Sequence, residues 1–355
     1  MEVDVSNIST LKRYISELNE KQEILNENLF GPFKADDTII AIQVHDKIHY
    51  FNKTIDGLSK VKGIEKTLLI FSHSIFHPEI NRIVKNIKFA KVMQIFYPNS
   101  TQLYPKTFPG DDPNDCPRDT PKLEAIKMNC NSAEFPDKYG HYRESKLTQL
   151  KHHWFWKLNF IFGRLRITTN FEGYVVLLED DYYLIPDSLY VLEKMRKLII
   201  DDSNCVYSLG IREYKIDATK TNVVVNFSGV PLNSHIFSKN FWNAFKKYSE
   251  NFCTYDNYHL DFSFIGVTHE FMKPPPFSIY PLVPRVFHIG SYGVNNHDPK
   301  RYNYYQVQKD LLQIKHNLFP KYLKVEFEND SRTYIQEWGG FNDPRDKQLC
   351  LSFIL

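Results

Sequence analysis

Several common signatures are missing from this chain. Five cysteines are spread over 355 residues, at Cys116, Cys130, Cys205, Cys253 and Cys350. None forms a C-x-x-C pair, which argues against a zinc ribbon or a dithiol redox centre. No apolar run approaches the ~20 residues of a membrane span, and no secretory signal peptide opens the chain. The expectation is either a lumenal portion cut from its anchor, with membrane attachment only through that anchor, or a soluble protein. The formal net charge is +2, with no long basic stripe, so a nucleic-acid role has no supporting feature. Internal repeats are absent as well.

What is present is an ordinary globular composition, 42% hydrophobic and 24% charged. The length suits one large domain or two lobes. Aromatic residues are plentiful at 15%, which fits sugar-stacking surfaces and large cores equally. Sequons occur at Asn7, Asn52, Asn99, Asn226 and Asn329. With the loop cysteines they lean towards a secretory compartment. Cys116 and Cys130 would close a short loop and are a plausible disulfide.

The first 35 residues differ from the rest. Ile8, Leu11, Ile15, Leu18, Gln22, Leu25 and Leu29 alternate three and four apart, a heptad seam with one polar break. The segment 1–35 reads as a helical stem able to pair two copies, or as an amphipathic helix that packs on the domain. From about residue 36, apolar runs alternate with helical patterns. Strands are expected at Thr38–Val44, Thr67–Phe71, Lys91–Tyr97 and Tyr174–Glu179, with helices over 47–62, 77–87 and 144–166. Such alternation indicates an α/β fold built on a mostly parallel, doubly wound sheet. The irregular stretch 98–146 is long enough to be functional. His152 and His153, adjacent on a helix, point about 100° apart and do not share a metal, so core or surface roles suit them better.

The stretch Tyr174-Val-Val-Leu-Leu-Glu-Asp-Asp181 organises the chain. A buried strand runs straight into Glu179, Asp180 and Asp181. Ligands sit at strand ends in open α/β sheets. Three crowded carboxylates repel unless a cation neutralises them, and hard divalent cations on oxygen ligands are commonly shared with phosphates. The motif therefore reads as a metal–diphosphate site. Alone it reads equally well as a solvated acidic turn.

The rest of the chain weighs in. Gln43-Val-His45, Ile70-Phe-Ser-His73, Gln102-Leu-Tyr-Pro105, Asp115-Cys-Pro-Arg-Asp119, Gly140-His-Tyr-Arg-Glu144 and Lys151-His-His-Trp154 occur in order. Leu178 to Asp181, Ser208-Leu-Gly210, Phe252-Cys-Thr-Tyr-Asp256, Pro284-Arg-Val-Phe-His288 and Arg345-Asp346 follow. In this set the chain resembles the N-acetylglucosaminyltransferase II family over roughly residues 38–350. The resemblance implies a GT-A-type glycosyltransferase fold, Rossmann-like, with a donor half over about 36–210 and an acceptor half over about 211–355. It implies an inverting transfer from UDP-N-acetylglucosamine to the α1,6-arm mannose of an N-glycan, with Mn²⁺ as cofactor and the Golgi lumen as location. By position, Asp181 and His288 would ligate the metal, and Asp261 would be the catalytic base. Gln43, Val44 and His45 would lie at the uridine side, Arg118, Glu179 and Asp180 around the donor, and Asp137 at the acceptor sugar. The family's framework is also consistent with Cys116–Cys130 and Cys253–Cys350 bridges, leaving Cys205 free.

Three departures accompany the match. Ser74 stands where the family usually carries Asp beside the uracil, Tyr182 replaces a His, and Leu260 replaces the Trp before the base. Segment 211–232 also matches poorly. The change at Ser74 would weaken recognition of the uracil, while Leu260 and segment 211–232 bear on acceptor choice more than on donor chemistry. They keep two alternatives in view, a related transferase for a different mannose and a sugar- or nucleotide-binding relative without catalysis.

Overall fold

The computed structural model describes residues 6–210, 216–231, 234–290, 303–328 and 336–354. The sequon at Asn329 and part of segment 211–232 lie outside them. The strands are β1 (Ile39–Val44), β2 (Leu68–His73), β3 (Lys91–Phe96), β4 (Tyr174–Glu179), β5 (Tyr182–Leu184) and β6 (Cys205–Ser208). They continue with β7 (Val223–Phe227), β8 (His235–Ser238), β9 (Phe277–Pro281), β10 (Val286–His288) and β11 (Lys324–Glu328). Nine of them form one sheet in the order β11-β7-β9-β6-β8-β4-β1-β2-β3, and β5 and β10 pair separately.

Strands β3, β2, β1 and β4 run parallel. Their sequences are continuous apolar runs, as expected where both faces are covered. Alternation sorts them onto two cores. Ile39 and Ala41 of β1 and Val175 and Leu177 of β4 pack with Trp154, Phe155, Leu158 and Ile161 of the helix Ser145–Gly163. Ile40, Ile42, Val176 and Leu178 pack on the opposite face with Phe51 and Leu58 of the helix Ile48–Ser59. Burying each such side chain is worth roughly 1.5–3 kcal/mol.

The second half of the chain extends this same sheet rather than building another. Strand β8 runs antiparallel to both β4 and β6, and β7 antiparallel to β9. The sheet is therefore parallel through its first half and mixed beyond β4.

The amino-terminal heptad pattern does not make one continuous helix. The helix Ile8–Lys21 stops at Gln22, which adopts a left-handed conformation, and Leu25 bridges to Val92 of β3. Leu11 and Ile15 are buried against Phe96 and Leu103. The seam that a coiled-coil partner would use is thus occupied within the chain, and the stretch caps the β3 edge.

Two bridges form, Cys116–Cys130 and Cys253–Cys350, while Cys205 is free and buried. The second ties the helix Ser249–Thr254 to the carboxy-terminal helix Pro344–Leu351. His152 and His153 are both core residues, bonded to the Asp346 carbonyl and the Ser72 hydroxyl respectively. Among the described residues no helix is long and apolar enough to cross a membrane.

Candidate active site

Strand β1 has β2 on one side and β4 on the other, so the chain's winding reverses between β1 and β4. Crevices at such a reversal, beyond the carboxyl ends of the strands, are where ligands bind in open α/β sheets. The residues delivered there are Gln43, Val44 and His45 from β1 and Glu179, Asp180 and Asp181 from β4. Gln43 is the register partner of Glu179.

Alternation then separates the three acids. Asp180 continues the Val176–Leu178 face, towards the helix Ile48–Ser59. It is fully buried. Its Oδ2 accepts from the His45 backbone N–H at 2.7 Å, and its carbonyl accepts from the Thr54 hydroxyl at 2.9 Å. Its Oδ1 has no hydrogen-bond partner among the described residues. Burial, followed by the charge of Asp181, pushes the Asp180 carboxyl well above the usual carboxylate range.

Asp181 lies past the strand end and is also fully buried. Lys47 Nζ donates to its Oδ2 at 2.7 Å, and His288 Nε2 lies 3.2 Å from its Oδ1. Burial alone would raise the Asp181 carboxyl, but the His288 imidazole and the Lys47 ammonium hold it well below the usual value. His288 reaches this place because β10 pairs with β5, putting His288 opposite Tyr182. The Tyr182 ring lies against the imidazole with centroids 5.1 Å apart. Gly290 is required next: a Cβ there would sit 2.2 Å from Asp181 Oδ2.

A divalent ion fits these donors. Asp181 and His288 present a carboxylate oxygen and an imidazole nitrogen, a set that suits Mn²⁺. Asp180, next in sequence to Asp181, adds a buried oxygen with no hydrogen-bond partner among the described residues. Among the described residues no three His, Cys, Asp or Glu converge as a ligand set. These described residues supply two donors, and a cation held there would take its remaining positions from diphosphate oxygens and water, as is usual for hard cations on nucleotides.

Asp261 occupies the first turn of the helix Leu260–Glu270. Burial, with the charge of Glu179 adding to it, pushes its carboxyl well above the usual range, while Lys157 opposes the shift. His235 Nδ1 lies 3.8 Å from Asp261 Oδ1. His235 Nε2 donates to the Pro231 carbonyl, and burial lowers this imidazole to about 4, so it is neutral. His259, one residue before Leu260, is likewise lowered to about 4 by burial.

At the carboxyl end of β1, His45 Nδ1 pairs with the Ser74 hydroxyl at 3.1 Å, and that hydroxyl also reaches the Val44 carbonyl. The His45 ring meets His153 edge-on. Ser74 is buried and so serves to fix His45.

The other expected residues lie elsewhere. Asp137 is buried, and its carboxylate accepts from the backbone N–H groups of Tyr139, His141 and Gly340 at 2.8, 2.8 and 2.7 Å. With those contacts filled, Asp137 shapes its loop. That loop carries Tyr139, while Trp338 stands nearby beside Tyr258. Tyr139 and Trp338 are exposed aromatics, suited to sugar faces. Arg118 is bonded to Asp119 and lies 3.1 Å from Glu144. Its contacts belong to this loop region rather than to the acidic triplet.

Two site residues escaped the sequence reading. Lys47 follows the β1 end by three positions, a usable signal. Lys157 sits between Trp156 and Leu158 in the apolar part of the helix Ser145–Gly163, where a buried lysine is itself anomalous.

Comparison with known proteins shows the family to which the chain is similar. The family model described as N-acetylglucosaminyltransferase II (MGAT2) matches residues 12–350. The chain is 35% identical over 366 residues to the alpha-1,6-mannosyl-glycoprotein 2-beta-N-acetylglucosaminyltransferase of Rattus norvegicus, covering 99% of this chain and 82% of that protein. The enzyme of the same name from Homo sapiens is 35% identical over 349 residues, covering 96% and 78%. That from Arabidopsis thaliana is 28% identical over 341 residues, covering 92% and 77%.

Proposed function

The chain belongs to the N-acetylglucosaminyltransferase II family, and from that premise we propose how it acts. It is a GT-A-type glycosyltransferase that moves N-acetylglucosamine from UDP-N-acetylglucosamine to O2 of the α1,6-arm mannose of an N-glycan, forming a β1,2 linkage. Family membership supports the donor, acceptor and linkage. The site residues, the Mn²⁺ requirement and a Golgi-lumenal location are our reading.

In that reading Asp181 and His288 hold Mn²⁺, which when bound neutralises charge on the departing diphosphate. Gln43, Val44 and His45 line the uridine side, with Ser74 orienting His45. Glu179 and Asp180 bound the donor pocket. Asp261 is the general base. It takes the proton from the mannose O2 as that oxygen bonds to the anomeric carbon and the bond to UDP breaks. In-line attack from the face opposite the leaving group inverts the anomeric centre. Tyr139 and Trp338 offer stacking surfaces for the acceptor.

The observation that carries this reading is the placement of Asp261 3.8 Å from His235, on the strand β8 that pairs with β4 just before its acidic end. On this reading a base and a metal–diphosphate site share one crevice. The test is release of UDP from UDP-N-acetylglucosamine with Mn²⁺ and a mannose-terminated N-glycan. Asp261→Asn is expected to cut turnover by about 10²–10⁴, the usual share of a general base, with UDP binding kept. A wild type that binds UDP but never turns over would instead make this a binding protein.

A further inference from the structure

Lys157 is almost wholly buried. Its Nζ donates to Gln43 Oε1 at 3.0 Å. Gln43 and Glu179 are adjacent in register on neighbouring parallel strands, so their side chains leave the sheet on the same face. That face is the one covered by the helix Ser145–Gly163, which carries Lys157. The ammonium therefore sits under the Gln43–Glu179 pair. Asp261 is on the same face: it lies 3.8 Å from His235, whose ring packs on Phe237 and Phe264 of that core on the strand next to β4. A buried ammonium held by one neutral amide is costly unless it serves nearby negative charge.

We propose that Lys157 is a positioning residue for the base: fixed by Gln43 between Glu179 and Asp261, its charge keeps the Asp261 carboxylate ionised as the acceptor hydroxyl approaches. This rests on the reading of Asp261 as the base.

The need for such a residue follows from the surroundings. Two carboxylates in a desolvated site disfavour each other's ionisation. Burial and Glu179 both push the Asp261 carboxyl upwards, and Lys157 opposes them. A protonated Asp261 cannot accept the hydroxyl proton. In return, burial brings the Lys157 ammonium down to about 7, while Glu179 and Asp261 hold it up. The groups facing this pair include Gln43 from β1, Glu179 from β4, His153 from the lysine's own helix, His235 from β8 and His259 just before the helix Leu260–Glu270. His235 is neutral, with Nε2 committed to the Pro231 carbonyl, so it supplies no substitute charge.

The test compares the pH dependence of kcat/KM for the full chain with Lys157→Met, Lys157→Gln and Lys157→Arg, using Mn²⁺, UDP-N-acetylglucosamine and a mannose-terminated N-glycan. Met removes the charge; Gln removes it while keeping a polar contact to Gln43, should Met disturb folding. Both are expected to move the acidic limb up by about one pH unit, a tenfold loss on that limb. Arg is expected to restore the wild-type limb, and UDP affinity is expected to hold in all three. Profiles of Met and Gln that superimpose on wild type, or a loss equal at every pH and shared by Arg, overturn the proposal. Asp261→Asn separates the two ideas. If it keeps turnover, the base assignment fails; if it is inactive and the Lys157 variants show no shift, only the role of Lys157 fails.

Discussion

The Asp181 carboxylate and the His288 imidazole stand 3.2 Å apart because β5 and β10 pair antiparallel immediately after the acidic triplet and immediately before Ile289. The Ile289 N–H closes the arrangement by donating to the Asp181 carbonyl at 2.8 Å. Two residues far apart in sequence are thus locked by a three-residue ribbon. Gly290 is the place where its backbone passes the carboxylate.

Gly290→Ala tests that close approach. The new methyl would meet Asp181 Oδ2 at 2.2 Å, so the carboxylate must turn away. Turnover at limiting Mn²⁺ is expected to fall by about tenfold or more, the size of effect seen when a metal ligand's support is disturbed. Raising Mn²⁺ should recover part of it. A Mn²⁺ titration identical to wild type would remove Asp181 from the metal site.

Lys47→Met tests what holds Asp181 in the metal-free protein. Removing one partner of a buried pair costs about 3–5 kcal/mol. The Lys47 side chain is 23% exposed, so about 2 kcal/mol is the better expectation after solvent screening. The folded-state value of Asp181 is depressed. The pair's contribution is therefore complete above the ordinary carboxylate value of 3.8 and is lost as pH falls towards the depressed one. Urea unfolding in chelator should show the gap between wild type and variant near pH 7 and a narrowing below about pH 4. A gap that does not change with pH would assign Lys47 a packing role only.

Cys253→Ala with Cys350→Ala tests the bridge across 97 residues. Closing a loop of that length contributes about 2–5 kcal/mol. The urea midpoint of the double variant is expected to fall accordingly. Turnover in the folded protein should change little, because neither cysteine touches the crevice. An unchanged midpoint would mean that the buried contacts of the helix Pro344–Leu351 suffice without the bond.

The strands were legible because they are interior and parallel. An apolar run such as Ile39-Ile-Ala-Ile42 or Tyr174-Val-Val-Leu-Leu178 has little alternative to burial, and three acids at its end mark a place where charge must be met. The helix Leu260–Glu270 was not legible. It is buried on nearly every side, so it carries no 3.6-residue stripe for periodicity to find. The heptads at residues 8–29 had the opposite fault. Their spacing shows an apolar seam but cannot say whether the seam meets a second copy or β3.

Taken alone, the sequence determined the chemistry at the end of β4 and the order of its motifs, since both depend on neighbours along the chain. Which acid faces which partner was decided only by the tertiary structure. Sheet alternation sends Asp180 to the helix Ile48–Ser59 and Glu179 to the helix Ser145–Gly163, and the β5–β10 ribbon brings His288 to Asp181. Lys47 and Lys157 gain their meaning from those faces, because a charge acts through space and its position along the chain does not reveal what it will meet.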